Sequence, residues 1–264
     1  MADRLSGKRF LLVGVQGNLG PLWSRALLSE GSTVLGVGLA GGETADIESL
    51  EKEFGARFIF GRVDVTKQLS SEALDAALGG NLMGETLSGV VYNAGIDSPP
   101  GSNTSGVLDF STHDWANFFA VNVSGFSNIL HAVADVLGNP SSIVAIGSIY
   151  GVVSPRLDVY SHFADGAGTV KHPAYGASKA ALIALVRQYG THLAPRGIRV
   201  NALTLGGVQG DQDSTFQDKF TRNVPQGRMV QAQDVVGGLV YLLSDQSLGI
   251  TSHNLIVDGG YTAW

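Results

Sequence analysis

The sequence predicts an α/β fold: a single doubly wound parallel sheet of about seven strands, with helices on both faces. Three observations predict it. Short apolar runs alternate with helical stretches along the chain. The first apolar run passes through a glycine-rich turn straight into a helix. No internal repeat, linker or composition break interrupts the 264 residues, so one domain is expected over 1–264.

Each element follows in order. Arg9 to Val13 is a short, mostly apolar run, as in a strand buried on both faces. Gly14-Val15-Gln16-Gly17-Asn18-Leu19-Gly20 comes next, then a helical stretch from Pro21 to Glu30. Glycines there let the backbone approach a pyrophosphate, and a helix N-terminus offers it N–H groups and a positive dipole end. The second strand, Thr33 to Val37, ends in Gly38-Leu39-Ala40-Gly41-Gly42, where a ribose-binding acid is expected. No acid or base stands there, and Glu43 is the nearest carboxylate. The missing cation favours NAD over NADP. A helix over 46–54, a strand over 57–63 running into Asp64-Val65, and a helix over 70–78 follow. The fourth strand, 89–92, runs into Asn93-Ala94-Gly95 and a loop rich in Gly, Pro and Ser over 96–106. A long helical pattern runs from Thr112 to about Leu137 with Asn122 inside it, and the fifth strand, 142–146, ends in Gly147-Ser148. After an irregular stretch to His172 come a helix from Pro173 to about Ala194 and a strand over 198–203. A Gly-rich loop over 206–227, a helix over 232–243 and a last strand over 254–257 close the chain. Gly14, Asn93, Ser148 and Gly206 all follow strands, so they converge on one cleft at the carboxyl edge of the sheet.

Tyr175 and Lys179 stand four residues apart, on one face of their helix. A phenol titrates too high for acid/base work at neutral pH, and a neighbouring ammonium lowers it. Composition narrows the rest. The net charge of −6, without a basic run, argues against nucleic acid or an anionic membrane as partner. There is no Cys, and no defensible His–carboxylate spacing, so no metal is expected. No apolar run reaches a bilayer span, and the N-terminus has no apolar signal core. The expectation is a cytoplasmic protein acting on a small molecule.

These pieces together resemble the short-chain dehydrogenase/reductase family over nearly the full chain. They are the 14–20 turn, Asp64-Val65, Asn93-Ala94-Gly95, Val121-Asn122-Val123, Gly147-Ser148, Tyr175-x-x-x-Lys179, Ile198-Arg199-Val200-Asn201 and Val257-Asp258-Gly259-Gly260. The resemblance implies a Rossmann-type fold, an NAD(P)(H) cofactor and a homodimer or homotetramer. It implies Tyr175 as catalytic acid/base, with Lys179 lowering its pKa and binding the nicotinamide ribose. It further implies Ser148 on the substrate oxygen and Asn122 in a water-assisted proton relay. Asp64 and Val65 would flank the adenine, and Asn93, Ala94 and Gly95 would line the middle of the cofactor. Val208 would meet the carboxamide, and Gly14, Gln16, Gly17, Asn18, Leu19 and Gly20 would cradle the phosphates.

Four departures stand out. The glycines fall as Gly14-x-x-Gly17-x-x-Gly20, a spacing that resembles extended members and leaves room for an epimerase or dehydratase with transient oxidation. Gly38 replaces the acid of NAD-preferring members. Leu205 begins the pair that is usually Pro-Gly. These last two also leave room for a non-catalytic NAD(P) sensor. Ser148 and Tyr175 lie 27 positions apart, about twice the family gap, so an insertion lies within 149–174. Tyr160 is a decoy in it, because Ala164 and not Lys follows four residues on. The insertion carries Arg156, Asp158, His162, Asp165, Lys171 and His172 as candidate contacts to an anionic or hydroxyl-rich substrate. The 206–227 loop, with Asp211, Asp213 and Arg222, reads as a lid or as plain surface. The run from Gly147 to Pro155 and the insertion resemble a subgroup from pathways of sialic-acid-like sugars such as legionaminic acid, which implies a polar, sugar-derived substrate.

Overall fold

The computed structural model describes residues 3–39, 41, 45–97, 110–163 and 171–264. Seven strands form one parallel sheet: β1 (Arg9–Val13), β2 (Thr33–Gly38), β3 (Phe58–Arg62), β4 (Leu87–Tyr92), β5 (Leu137–Ser148), β6 (Ile198–Leu205) and β7 (Asn254–Val257). Their order is β3-β2-β1-β4-β5-β6-β7. The order reverses between β1 and β4, which opens a crevice beyond their carboxyl ends.

The helices among the described residues are α1 (Gly20–Ser29), α2 (Ala45–Phe54), α3 (Ser71–Ala77), α4 (Thr112–Phe119), α5 (Gly125–Val133), α6 (Leu157–Tyr160), α7 (Pro173–Leu193), α8 (Ser214–Thr221) and α9 (Ala232–Leu243). They cover both faces, and β1 shows why its run is apolar throughout. Leu11 and Val13 pack with Phe126 and Ile129 of α5 and Leu182 and Val186 of α7. Phe10 and Leu12 pack with Trp23 and Leu27 of α1 and Val235 and Leu239 of α9. Burial on both sides removes the alternation a one-sided sheet would show.

The long helix expected over 112–137 is not continuous. α4 stops at Phe119, Ala120–Ser124 form one π-helical turn around Asn122, and α5 ends at Val133. The Tyr92 hydroxyl donates to the Val121 carbonyl at 2.5 Å. A side-chain donor inserted into a helix ladder is a known cause of such a break. β5 begins at Leu137, the residue expected to end the helix, five residues before the expected strand start at 142. The segment expected to be irregular holds a 3-10 turn, Ile149–Gly151, and α6. The 206–227 loop contains α8, capped by Asp213 accepting from the Phe216 N–H at 2.9 Å. No helix of the described residues is long and apolar enough to cross a membrane.

Candidate active site

The cleft begins at the glycine-rich turn between β1 and α1. Gly14 has φ +83°, and a Cβ there would lie 2.6 Å from the Ala94 backbone nitrogen. A Cβ on Gly20 would overlap the Val15 carbonyl. Both positions need glycine so that the turn can fold back on itself and on the end of β4. The first turn of α1 has no acid and carries Pro21, which leaves its positive end open to an anion. Gly17 and Asn18 are exposed, and Leu19 packs against the core. The Gln16 carboxamide lies against Gly38 at the end of β2. This cradle fits the pyrophosphate of a dinucleotide, because backbone rather than side chain faces the crevice.

The end of β4 is tied into the same cradle. Asn93 donates to the Gly14 carbonyl at 2.8 Å and accepts from the Trp23 indole at 2.9 Å. Its side chain therefore fixes the turn, and only its backbone is left to line a cofactor. Asp64 accepts from the Thr66 N–H at 2.9 Å and hydroxyl at 2.7 Å. Those bonds hold its carboxyl below the usual carboxylate range. Val65 is buried in the core, and its carbonyl accepts from Asn128 at 2.8 Å. Val208 forms a short parallel bridge with Val230, and its carbonyl accepts from Gln212 at 2.9 Å.

The four expected catalytic residues come together. Ser148 ends β5 and is buried, with its oxygen accepting from the Tyr150 N–H at 3.2 Å. It also lies near enough to the Tyr175 phenol to lower that phenol's pKa. Tyr175 reaches it because α7 rides directly on the turn after β5: a Cβ on Gly176 would lie 2.7 Å from the Tyr150 carbonyl. Lys179, one turn further along α7, is 5% exposed and donates to the Ile146 carbonyl at 2.9 Å. Asn122 is fully buried. It accepts from the Ile96 N–H at 2.9 Å and donates to the Ile96 carbonyl at 3.1 Å and the Ser178 hydroxyl at 2.9 Å. Gly95 closes the group: a Cβ there would lie 3.2 Å from Lys179 Nζ and 3.3 Å from Asn122 Oδ1.

The electrostatics differ from the sequence expectation. Burial pushes the Tyr175 phenol up, the Asp97 charge adds to this, and the nearby Ser148 hydroxyl pulls it partly back. The Lys179 amine donates to the Ile146 carbonyl, and its own pKa is pushed down to about 8 by burial, against the opposing pull of Asp97. The Asn122 side chain is spent on Ile96 and Ser178, so it fastens the 93–97 segment to α7. Asp97 and Ser178 are residues that sequence reading passed over. Asp97 sat in a loop with no motif, and Ser178 inside the motif looked like a spacer.

The insertion residues divide by role. Tyr160 is buried, and its hydroxyl pairs with that of Tyr150 at 2.5 Å. Arg156 pairs with Asp158, and His162 with Asp213. His172 caps α7 by accepting from the Ala174 N–H at 3.0 Å. Lys171 pairs with Asp97 at 2.5 Å and lies 5.1 Å from the centre of the Tyr175 ring. Arg222 is exposed at the end of α8, and Asp211 is exposed before it. Ala40, Gly42, Glu43, Ala164 and Asp165 lie outside the described residues.

Known proteins resemble this arrangement. A family model described as "Enoyl-(Acyl carrier protein) reductase" matches residues 14–262. The chain is 30% identical to 2-(S)-hydroxypropyl-CoM dehydrogenase 3 of Xanthobacter autotrophicus, covering 100% of both chains. It is 29% identical to 3beta-hydroxysteroid dehydrogenase 1 of Eggerthella lenta, over 100% of this chain and 97% of that one. In fold it is similar to a gluconate 5-dehydrogenase from Burkholderia cenocepacia, solved with NADP and tartrate. There the TM-score is 0.82 at 23% identity, covering 100% of this chain and 98% of the other.

Proposed function

The chain belongs to the short-chain dehydrogenase/reductase family, and on that premise we propose that it is an NAD(P)(H)-dependent oxidoreductase interconverting a secondary alcohol and a ketone. The observation that carries the reading is Ser148 placed near enough to the Tyr175 phenol to lower its pKa, beside buried Lys179, at the carboxyl edge of the sheet next to the glycine cradle. The names of the relatives, dehydrogenases of hydroxyl-bearing compounds, agree with it. Likeness of the 147–155 run and the insertion to enzymes of sialic-acid-like sugar pathways supports a polar, sugar-derived substrate.

A bound nicotinamide supplies or accepts the hydride. The chain's residues manage the oxygen. Ser148 and Tyr175 donate hydrogen bonds to a carbonyl oxygen as negative charge gathers on it, and Tyr175 then yields its proton. In oxidation Tyr175 takes the proton from the alcohol. Lys179 holds the ribose side of the cleft, and Asn122 keeps the loop under Gly95 in place.

Tyr175→Phe tests this. It should abolish stoichiometric change at the nicotinamide absorbance band with sugar-derived alcohols or ketones, while cofactor affinity, read by fluorescence titration, stays within about twofold. Full activity in that variant overturns the mechanism. Product formed with the cofactor unchanged after each turnover points instead to epimerisation or dehydration.

A further inference from the structure

The wall beside the reacting pair carries phenols that the reaction above does not use. Tyr150 lies in the turn after Ser148, Tyr160 ends α6, and Tyr261 opens a 3-10 turn, Tyr261–Ala263, after β7. Tyr160 and Tyr261 are buried in one aromatic cluster with Phe216 and Phe220 of α8, and Tyr150 packs against it. Tyr261 stacks on Phe220, with ring centres 4.8 Å apart and planes 12° from parallel. It lies near enough to Tyr150 and Tyr160 to raise the pKa of both, and Tyr175 acts on Tyr160 in the same way. The Tyr150 and Tyr160 hydroxyls pair at 2.5 Å. Tyr261 is 5% exposed, and its buried hydroxyl has no hydrogen-bond partner. A buried hydroxyl left unpaired is costly, and a ligand oxygen at this wall would relieve it.

We propose that the phenols of Tyr150, Tyr160 and Tyr261 form a specificity subsite for an uncharged, multiply hydroxylated ring that carries the secondary alcohol. This rests on the alcohol–ketone reading above and narrows its polar substrate to an uncharged one. The charged side chains near these phenols are matched to each other: Arg156 pairs with Asp158, His162 with Asp213 and Lys171 with Asp97. Burial raises the pKa of all three phenols, so they stay neutral. A neutral phenol both donates and accepts. Pairing Tyr150 with Tyr160 spends one O–H and leaves the other free, and Tyr261 keeps both functions. That set matches hydroxyl groups, which also donate and accept. A carboxylate only accepts, and it would meet the Asp97 charge that already reaches Tyr150 and Tyr160. The aromatic rings between the hydroxyls offer apolar faces to ring carbons. Tyr160 enters from the insertion and Tyr261 from beyond β7, so no single stretch of sequence shows the three together.

Steady-state oxidation of cyclohexanol, myo-inositol and quinate by the full chain, with NAD+ or NADP+ in excess, tests the subsite. Cyclohexanol carries the secondary alcohol alone, myo-inositol surrounds it with further hydroxyls, and quinate adds a carboxylate to a hydroxylated ring. The expected result is the highest kcat/KM for myo-inositol, by about tenfold or more over cyclohexanol, because a site built to hydrogen-bond a hydroxyl rejects the analogue without it. Tyr261→Phe and Tyr160→Phe should each narrow that ratio, through KM more than kcat. In the free chain Tyr261→Phe keeps the stack on Phe220 and removes only an unpaired hydroxyl, so the thermal midpoint should rise by about 2 °C or more. A midpoint that does not rise overturns the inference, since the hydroxyl then already has a partner. So does cyclohexanol or quinate matching myo-inositol in the wild type, and so does a preference that survives in both variants. Turnover of none of the rings overturns it too, and leaves the alcohol–ketone reading to the Tyr175→Phe test above.

Discussion

Lys179→Met isolates the free energy stored in the site. The Lys179 amine is 5% exposed, and burial lowers its pKa from 10.5 to about 8. Below pH 8 the folded chain therefore holds a charge that the unfolded chain carries more easily. The gap corresponds to about 3 kcal/mol against folding, at 1.36 kcal/mol per pKa unit. As pH rises from about 8 towards 10.5 the folded form releases its proton while the unfolded chain keeps it, so stability rises and the cost fades. Methionine keeps the stem and removes the ammonium, but it also removes the bond to the Ile146 carbonyl at 2.9 Å, worth about 1.5–3 kcal/mol for a charged donor. At pH 7 these terms nearly cancel. The signature is in the pH dependence: between pH about 7 and about 10 the wild type should gain about 2–3 kcal/mol relative to the variant. Urea unfolding of both proteins across that range measures it, since groups common to both cancel in the difference. A stability difference that stays flat with pH would mean the amine is neither buried nor protonated as described, and would refute the reasoning.

Four other changes separate the parts of the site. Asp97→Asn removes a charge that raises the pKa of both Tyr175 and Lys179, so the rising limb of the pH profile for alcohol oxidation should move to lower pH; an unmoved limb excludes Asp97 from the site's electrostatics. Gly176→Ala places a Cβ 2.7 Å from the Tyr150 carbonyl, and should cost about 1–3 kcal/mol in urea unfolding and lower kcat by levering Tyr175 away from Ser148. Tyr160→Phe removes only the hydroxyl paired with Tyr150, so turnover should persist within about tenfold, against abolition in Tyr175→Phe; equal loss in both would make Tyr160 the acid/base. Phe216→Ala opens the aromatic contact between α8 and Tyr160, whose ring centres lie 5.5 Å apart, and should cost about 3 kcal/mol while raising KM more than it lowers kcat.

The fold was readable because both faces of the sheet are buried, which turns each strand into a plain apolar run bounded by glycine. The strand-to-cleft logic named Gly14, Asn93, Ser148 and Gly206, and each stands at the carboxyl end of its strand, β1, β4, β5 and β6. What stayed hidden depends on contacts across the sheet. The π turn at Asn122 answers to a hydroxyl from Tyr92, 29 positions upstream, and nothing in 112–137 announces it. The charge on Asp97 acts through space on two buried groups, and no motif marks it. Lys179 was expected to tune a phenol because the two share a helix face. A shared face sets proximity, but burial sets the sign, and here burial moves the phenol up and the amine down.

The 27-residue gap between Ser148 and Tyr175 follows from how the chain returns. The chain leaves β5, makes the Ile149–Gly151 turn, and comes back as α7 with Gly176 on the Tyr150 carbonyl. The serine and the phenol are brought together at that junction. Residues 160–162 are instead fastened to α8. Tyr160 meets Phe216, Ser161 accepts from Lys219 at 2.9 Å, and His162 pairs with Asp213. Insertion and lid, separate candidates in the sequence, are therefore one wall. On the proposed mechanism, proton transfer resides in the β5–α7 junction. The wall is nevertheless tied to that junction, because the Tyr160 hydroxyl pairs with that of Tyr150, whose N–H donates to Ser148, so a change in α6 or α8 reaches the serine through Tyr150.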